Sequence, residues 1–514
     1  MEIGEKILVV EFGSQYSHLI VKRVRKLGVY AELIYPDKVG EYLDDSVKGV
    51  ILSGGPMSVY DDSSPKISRD ILEGLDIPVL GICYGHQLVS YLLGGVVERA
   101  SKAEYGPSTL SIDHYHELLD GIPPVSRVWM SHGDIVKTPP RGFKVLGHTA
   151  SDRNTILADD SRRIYTTQFH PEVAHTEYGV QLLRNFVYRI CGCGGGYRPK
   201  TLVEKFLKEY EWVSNHGAVV AVSGGVDSTV TALILRELFG DNLHLVFLNT
   251  GFNRVGDREF VEDFFGALDM NIHVVDVEDK FVSELSGVSD PEEKRWRFST
   301  LYFETLNTVV RRLDALYGGL KFLGQGTLYP DVVESGVASR YTDRIKSHHN
   351  VVGRRLSLLE PIEPLKDFYK DEVRELAREM GLPREVYMKH PFPGPGYLVR
   401  IVGPIDRWRL EIVKSADKIV VEELMESGWY WRVWQGFAAL LGVKSVGVKG
   451  DRRSYEYMVG LRIVYSEDGM TANHVKMPYD VLDTIAGRIL AEVGGVNRVL
   501  YDLSDKPPAT IEYE

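Results

Sequence analysis

The chain has 514 residues, 44% of them hydrophobic, which is too many for one core and predicts three domains that each bury their own apolar surface. Its 72 acidic against 60 basic side chains leave a formal net charge of −12, and this balance argues against long nucleic acid or an anionic membrane as a partner. Three cysteines, Cys83, Cys191 and Cys193, supply no disulfide framework; with no secretory leader and no apolar run near the ~18 residues of a membrane span, the expected location is the cytoplasm.

From Ile7 to about Ile190, β-branched runs alternate with helical stretches. Ile7–Val10, Gly49–Leu52, Val79–Ile82 and Ile164–Phe169 read as strands of an α/β sheet. The glycine-rich stretch Cys191-Gly192-Cys193-Gly194-Gly195-Gly196 ends at Pro199 and bounds a first domain over residues 1–193. A second α/β unit over 198–390 follows, with strands at Ala218–Val222, Leu243–Leu248 and Leu320–Leu323 and a helix at Thr229–Phe239. His390-Pro391-Phe392-Pro393-Gly394-Pro395-Gly396 propagates neither helix nor sheet and bounds a small α+β domain over 397–514. That domain carries strand-like runs at Lys444–Val448 and Gly460–Val464 and a helix at Tyr479–Glu492.

In the first domain Gly81-Ile82-Cys83-Tyr84-Gly85-His86-Gln87 places a thiol between a strand and a helix. A free cysteine is mostly protonated at neutral pH, so a nucleophilic one needs help, and the positive helix end supplies part of it. His170, after the last strand, is the candidate base, and Glu172 the group that orients it. Gly54-Gly55-Pro56 is positioned to turn backbone N–H groups toward a developing oxyanion. Taken singly, Cys83 and His170 read as ordinary core residues. Together, and in this order, these motifs resemble the class I glutamine amidotransferases. The resemblance implies a glutamyl thioester on Cys83, release of ammonia, and a glutamine site containing Gly55, Gly81, Gln87, Ser131, His132 and Asp134. A metal site at Cys191 and Cys193 is disfavoured, because neither further cysteines nor a histidine cluster accompany them.

In the second domain Ser223-Gly224-Gly225-Val226-Asp227-Ser228-Thr229 joins an apolar strand to a helix without the lysine of a Walker loop. Backbone N–H groups and hydroxyls there form an anion site. Asp227 beside phosphate implies a divalent cation between them, magnesium being the natural choice, although Ser and Asp at a Gly-Gly turn also read as a plain helix start. The string resembles the PP-loop of ATP pyrophosphatases, which transfer AMP to a carbonyl oxygen. Lys321–Ser335, Ile345-Lys346-Ser347-His348-His349-Asn350, Gly450-Asp451-Arg452-Arg453-Ser454-Tyr455 and the tail Lys506–Glu514 extend the likeness over the whole chain, which resembles the GMP synthetase family. Asn249-Thr250-Gly251-Phe252 stands where that family usually has Asp-x-Gly-Leu, and Tyr513 where it usually has tryptophan.

The resemblance implies ATP held by Ser223 to Thr229 and Gly324, with Mg²⁺ on Asp227. It implies a lid carrying Asp331, Glu334, Lys346, His348 and His349, and XMP contacts from Arg295, Gln435, Arg498, Lys506, Ile511 and Glu512. The small molecules expected are XMP, ATP and glutamine, and the assembly expected is a homodimer. Two other readings compete: a ligase of the same construction acting on a carboxylate or a tRNA base, and an inactive nucleotide-sensing scaffold. The acidic balance disfavours the tRNA reading, and the intact Cys83, His170, Glu172 and Asp227 disfavour the scaffold.

Overall fold

The computed structural model describes residues 4–14, 16–331, 357–466, 469 and 471–514. The chain divides into two compact units, the first reaching Lys205 and the second beginning at Phe206.

The first unit is built on nine strands: β1 (Lys6–Val10), β2 (Tyr30–Ile34), β3 (Val47–Leu52), β4 (Val79–Ile82), β5 (Val96–Ile112), β6 (Val125–Thr138), β7 (Lys144–His148), β8 (Ile156–Asp159) and β9 (Ile164–Thr167). They lie in the order β2-β1-β3-β4-β9-β8-β7-β5-β6. Strands β2, β1, β3, β4 and β9 pair in parallel and the remainder antiparallel. The parallel half is apolar on both faces, as strands covered on both sides must be: all four residues of β4 are buried, and Leu8, Val10, Val50, Leu52, Val79 and Leu88 share one core. Residues 168–169, expected within the last strand, leave it after Thr167, so His170 sits on a loop at the strand's carboxyl end.

The second unit holds two sheets. A parallel five-stranded one comprises β10 (Gly217–Ala221), β11 (Leu243–Asn249), β12 (Asn271–Asp276), β13 (Leu320–Gly324) and β14 (Glu360–Ile362), in the order β12-β11-β10-β13-β14. The chain runs outward from β10 on one side and returns on the other, which makes the carboxyl end of β10 a switch point open to ligands. Its core joins Val219, Val246, Leu248 and Leu323 to Leu306, Val310 and Leu313 of the helix Pro291–Tyr317. Asp290 starts that helix by accepting a hydrogen bond from the Glu293 N–H at 2.8 Å, with Pro291 at the position where a missing N–H does no harm.

The other sheet is an antiparallel hairpin of β15 (Gln435–Lys449) and β16 (Arg452–Tyr465), extended by β17 (Asn473–His474) and by β18 (Val496–Tyr501), which pairs with β16 in parallel. The expected runs Lys444–Val448 and Gly460–Val464 are pieces of the two long hairpin strands. The helix Tyr479–Glu492 lies where expected. The helix Arg407–Glu426 packs through Leu410, Val413, Val420 and Leu424 against Leu440, Val459 and Leu461 of the hairpin.

Candidate active sites

Cys83 is the residue between β4 and the helix Tyr84–Leu92, and its backbone is left-handed, with φ 53°. The turn needs glycine two positions before and two positions after it. A Cβ on Gly85 would lie 2.3 Å from the Leu52 carbonyl oxygen, and one on Gly81 2.6 Å from the Gly85 oxygen. The elbow is pinned by the Gly85 N–H, which donates to Ser53 at 3.0 Å, and by the Cys83 N–H, which donates to Thr167 at 2.8 Å.

His170 is buried and its Nδ1 stands 2.7 Å from Oε1 of Glu172, itself fully buried. Burial pulls the His170 imidazolium down. The charges of Glu172 and Cys83, and the hydrogen bonds to both, outweigh that and hold it well above the usual histidine range. Tyr16 meets the ring edge-on at 5.2 Å, and a Cβ on Gly54 would lie 3.0 Å from its Cε1, so the Gly54-Gly55 turn adjoins the histidine. Gly55 is equally constrained, its absent Cβ being 2.7 Å from the Phe12 oxygen. The rest of the expected glutamine site gathers here. The Ser131 carbonyl oxygen lies 3.6 Å from Cys83 Sγ, and His132 Nδ1 lies 3.0 Å from the Asp134 oxygen. Gln87 Nε2 donates to that same oxygen at 2.8 Å and to Gln168 at 3.2 Å. Ser58 and Tyr60, which sequence reasoning missed, donate to the Asp134 carboxylate at 2.5 and 3.0 Å. Cys191 and Cys193 are free buried thiols, both raised chiefly by burial; among the described residues no group of three potential ligands could hold a metal.

In the second unit, Ser223, Gly225, Val226, Asp227 and Ser228 line a cavity of about 290 Å³ at the carboxyl end of β10. Gly224 takes φ 72°, and the Ser228 hydroxyl accepts the Ser223 N–H at 3.2 Å, shaping the loop. Thr229 is turned inward: it is buried and its hydroxyl donates to the Gly225 oxygen at 2.9 Å. Gly324 ends β13 among Leu235 and Val220, whose atoms a Cβ would meet at 2.5 and 2.6 Å, and it does not line the cavity. Thr250, Phe252, Asn253 and Arg254 do. Two cations unmarked in the sequence complete the cavity. Lys370 Nζ is 2.5 Å from Asp227 Oδ2, and Lys389 Nζ is 2.5 Å from Asp257 and 2.9 Å from the Gly224 oxygen. Burial lowers Lys389, against the attraction of Asp257. Asp227 lines the cavity, and its Oδ1 is buried without a hydrogen-bond partner among the described residues; an unsatisfied hard oxygen at a phosphate cradle fits magnesium, which takes one or two carboxylates and fills its shell with phosphate and water. Of the expected lid, Asp331 accepts the Leu328 N–H at 3.0 Å; Glu334, Lys346, His348 and His349 lie outside the described residues.

The expected XMP residues are only partly brought together. Gln435 Nε2 donates to Glu512 Oε1 at 2.7 Å, and Arg400, fully buried, grips the same carboxylate with two hydrogen bonds of 3.1 Å. Arg295 is half-buried beside Lys294, which is wholly buried, pairs with Glu514 and donates to the Ile401 oxygen at 2.6 Å. Ile511 is half-buried on the same tail, which Arg462 secures through hydrogen bonds to Ser504 at 2.5 Å and Thr510 at 2.9 Å. Arg498 is exposed and donates to Ser445, and Lys506 donates to the Gly469 oxygen at 2.7 Å.

Three family models match the chain: glutamine amidotransferase class-I over residues 8–190, NAD synthase over 200–299 and the GMP synthase C-terminal domain over 422–513. The chain is 46% identical over 521 residues to a glutamine-hydrolysing GMP synthase of a Synechococcus strain, covering 99% of this chain and 97% of that one. It is 45% identical over 521 residues to that of Nitratidesulfovibrio vulgaris, covering all of both, and 46% identical over 514 residues to that of Caldanaerobacter subterraneus, covering 99% of each.

Proposed function

This chain belongs to the family of glutamine-hydrolysing GMP synthases, and from that premise we propose how its residues divide the reaction. It is a ligase that forms GMP with nitrogen from glutamine, using ATP. The observation that carries the division is the buried Cys83, His170 and Glu172 constellation at one sheet's carboxyl edge, together with a separate, lysine-bearing phosphate cradle on another sheet.

In the glutaminase half, the Cys83 thiolate attacks the carboxamide carbon of glutamine. The His170 imidazolium gives its proton to the departing nitrogen, so that ammonia leaves and a thioester remains. Water then attacks the thioester, with His170 accepting its proton, and releases glutamate and the free thiol. Glu172 keeps the ring oriented and its charge compensated throughout. Gly81 and Gly55 shape the turn and the oxyanion pocket, while Gln87, Ser131, His132 and Asp134 seat the glutamine.

In the synthetase half, the C2 oxygen of XMP attacks the α-phosphorus of ATP. The bond to the β-phosphate oxygen breaks, pyrophosphate leaves, and ammonia displaces AMP at C2 to give GMP. The Ser223–Ser228 loop and the N-terminal end of the helix Val226–Phe239 cradle phosphate, and Lys370 and Lys389 neutralise the negative charge that accumulates on pyrophosphate. Mg²⁺ held by Asp227 would supply further charge compensation at the phosphates. The clustering of Gln435 with Glu512 supports a nucleotide site beside the tail, to which we also assign Arg295, Arg498, Lys506 and Ile511.

The proposed domains span 1–193, 198–390 and 397–514. We further propose a homodimer acting in the cytoplasm. Exposed Val443, Val446, Val448 and Tyr455 on the β15–β16 hairpin support the dimer, and three free thiols support a reducing compartment. Among the described residues no helix is long and apolar enough to cross a membrane.

The test is Cys83→Ser. Glutamine-dependent formation of GMP and AMP from XMP and ATP should vanish while synthesis from ammonium salts persists. Loss of both in a folded protein would refute the division.

A further inference from the structure

Beside Cys83 stands a second histidine–carboxylate pair, and the reaction as described uses its histidine but not its carboxylate. The register of β5 against β6 shifts between Arg99 and Glu104, and past that irregularity Glu104 lies opposite His132 while Tyr105 lies opposite Ser131. Glu104 Oε2 is 3.3 Å from His132 Nε2, with the two side chains 14% and 2% exposed. The approach lies off the hydrogen-bond axis, and neither atom makes a hydrogen bond to any other group among the described residues. The other ring nitrogen faces the Asp134 carbonyl oxygen, which can only accept, so Nδ1 carries a proton.

Glu104 is itself held from behind, since Oε1 accepts from the hydroxyls of Ser151 and of Ser108. His132 sits between Ser131, whose carbonyl oxygen touches the nucleophile's sulfur at 3.6 Å, and the Asp134 oxygen shared with Gln87. The carboxylate thus lies at the start of a line running from the β5 bulge through His132 to the β6 edge against Cys83. We propose that Glu104 is a positioning residue of the glutaminase reaction. Through its buried contact with His132 it holds the Ser131–Asp134 edge of β6 at the spacing from Cys83 that glutamine requires.

This inference rests on the glutaminase reading of Cys83, and the experiment separates the two. In the full chain, Glu104→Gln is compared with Glu104→Asp, His132→Asn and the double variant, following glutamate release and GMP formation from glutamine and from ammonium. In Glu104→Gln the KM for glutamine should rise at least roughly tenfold, as a buried carboxylate–imidazole contact is lost. Its kcat should stay within about threefold, and ammonium-dependent synthesis should be unchanged. Glu104→Asp should recover part of the affinity, and the double variant should be no worse than His132→Asn alone. An unchanged KM in Glu104→Gln would overturn the proposal, as would multiplicative effects in the double variant. So would joint loss of ammonium-dependent synthesis, which would make Glu104 a residue of the fold. If Cys83→Ser still used glutamine, the glutaminase reading itself would fall, whatever Glu104 did.

Discussion

Replacing Glu172 by glutamine removes one charge from a fully buried side chain and keeps its volume, so the electrostatics of the glutaminase can be probed without a cavity. Oε1 is 2.7 Å from His170 Nδ1, and Oε2 has no hydrogen-bond partner among the described residues, which leaves the new amide two orientations. With its oxygen toward the ring, His170 keeps an acceptor that is now neutral, and the buried amide donors go unmet at about 1–3 kcal/mol. With its nitrogen toward the ring, Nδ1 must accept, the ring proton moves to Nε2, and the face toward Cys83 can no longer take a proton. In both cases a charge-assisted bond worth about 1.5–3 kcal/mol is lost, which converts to roughly 10- to 150-fold in kcat/KM for glutamine. The wrong tautomer would extend this toward about 10⁴-fold. The pH dependence gives an independent check. Burial lowers His170, and Glu172 and Cys83 together raise it above its unfolded value of about 6.5. The stability it contributes is therefore full below that pH and is lost as pH rises through the elevated folded value. Removing the Glu172 charge should move both the alkaline limb of glutamate release and this stability window to lower pH. Wild-type kcat/KM with an unmoved alkaline limb, measured alongside normal ammonium-dependent synthesis, would refute the assignment of Glu172.

Asp227→Asn should eliminate pyrophosphate release with either nitrogen source and weaken the response to added Mg²⁺, because it removes the charge of a carboxylate that lines the cavity and pairs with Lys370. Normal ammonium-dependent turnover in that variant would reduce Asp227 to a residue of the helix start. Lys506→Ala should raise the KM for XMP by roughly one to two orders of magnitude and leave that for ATP nearly unchanged. An unaltered XMP KM would make its bond to Gly469 purely structural and move the nucleotide site elsewhere.

The parts of the fold and sites that could be read in the sequence are those whose backbone demands a particular residue. Gly81 and Gly85 flank Cys83 because two carbonyl oxygens leave no room for a Cβ, and that demand is visible as a motif. His170 and Glu172 are two positions apart on one loop, so their meeting is also local. Lys370, Lys389 and Arg400 gave no such sign. Each reaches its partner from a distant element, Lys370 spanning 143 positions to Asp227 and Arg400 112 positions to Glu512, and a long flexible side chain leaves no local pattern. Motif membership does not say where a side chain points. Thr229 and Gly324 share the strings that mark the phosphate site, yet one hydroxyl turns inward and the other residue is packed between Leu235 and Val220. The long β5 strand was missed because Gly106 and Pro107 interrupt the alternation that would have announced it.

The backbone of Cys83 bears on how this enzyme can be improved in the laboratory. A non-glycine residue at φ 53° and ψ −103° carries strain of about 1–3 kcal/mol, which a glycine at the same position would relieve. A library selected only for resistance to heat would therefore favour replacement of the nucleophile itself. If such a selection fed the cells ammonia, the loss would go unseen, since the synthetase half would continue to work. Stabilising this chain while keeping its use of glutamine calls for a selection in which glutamine is the sole nitrogen donor.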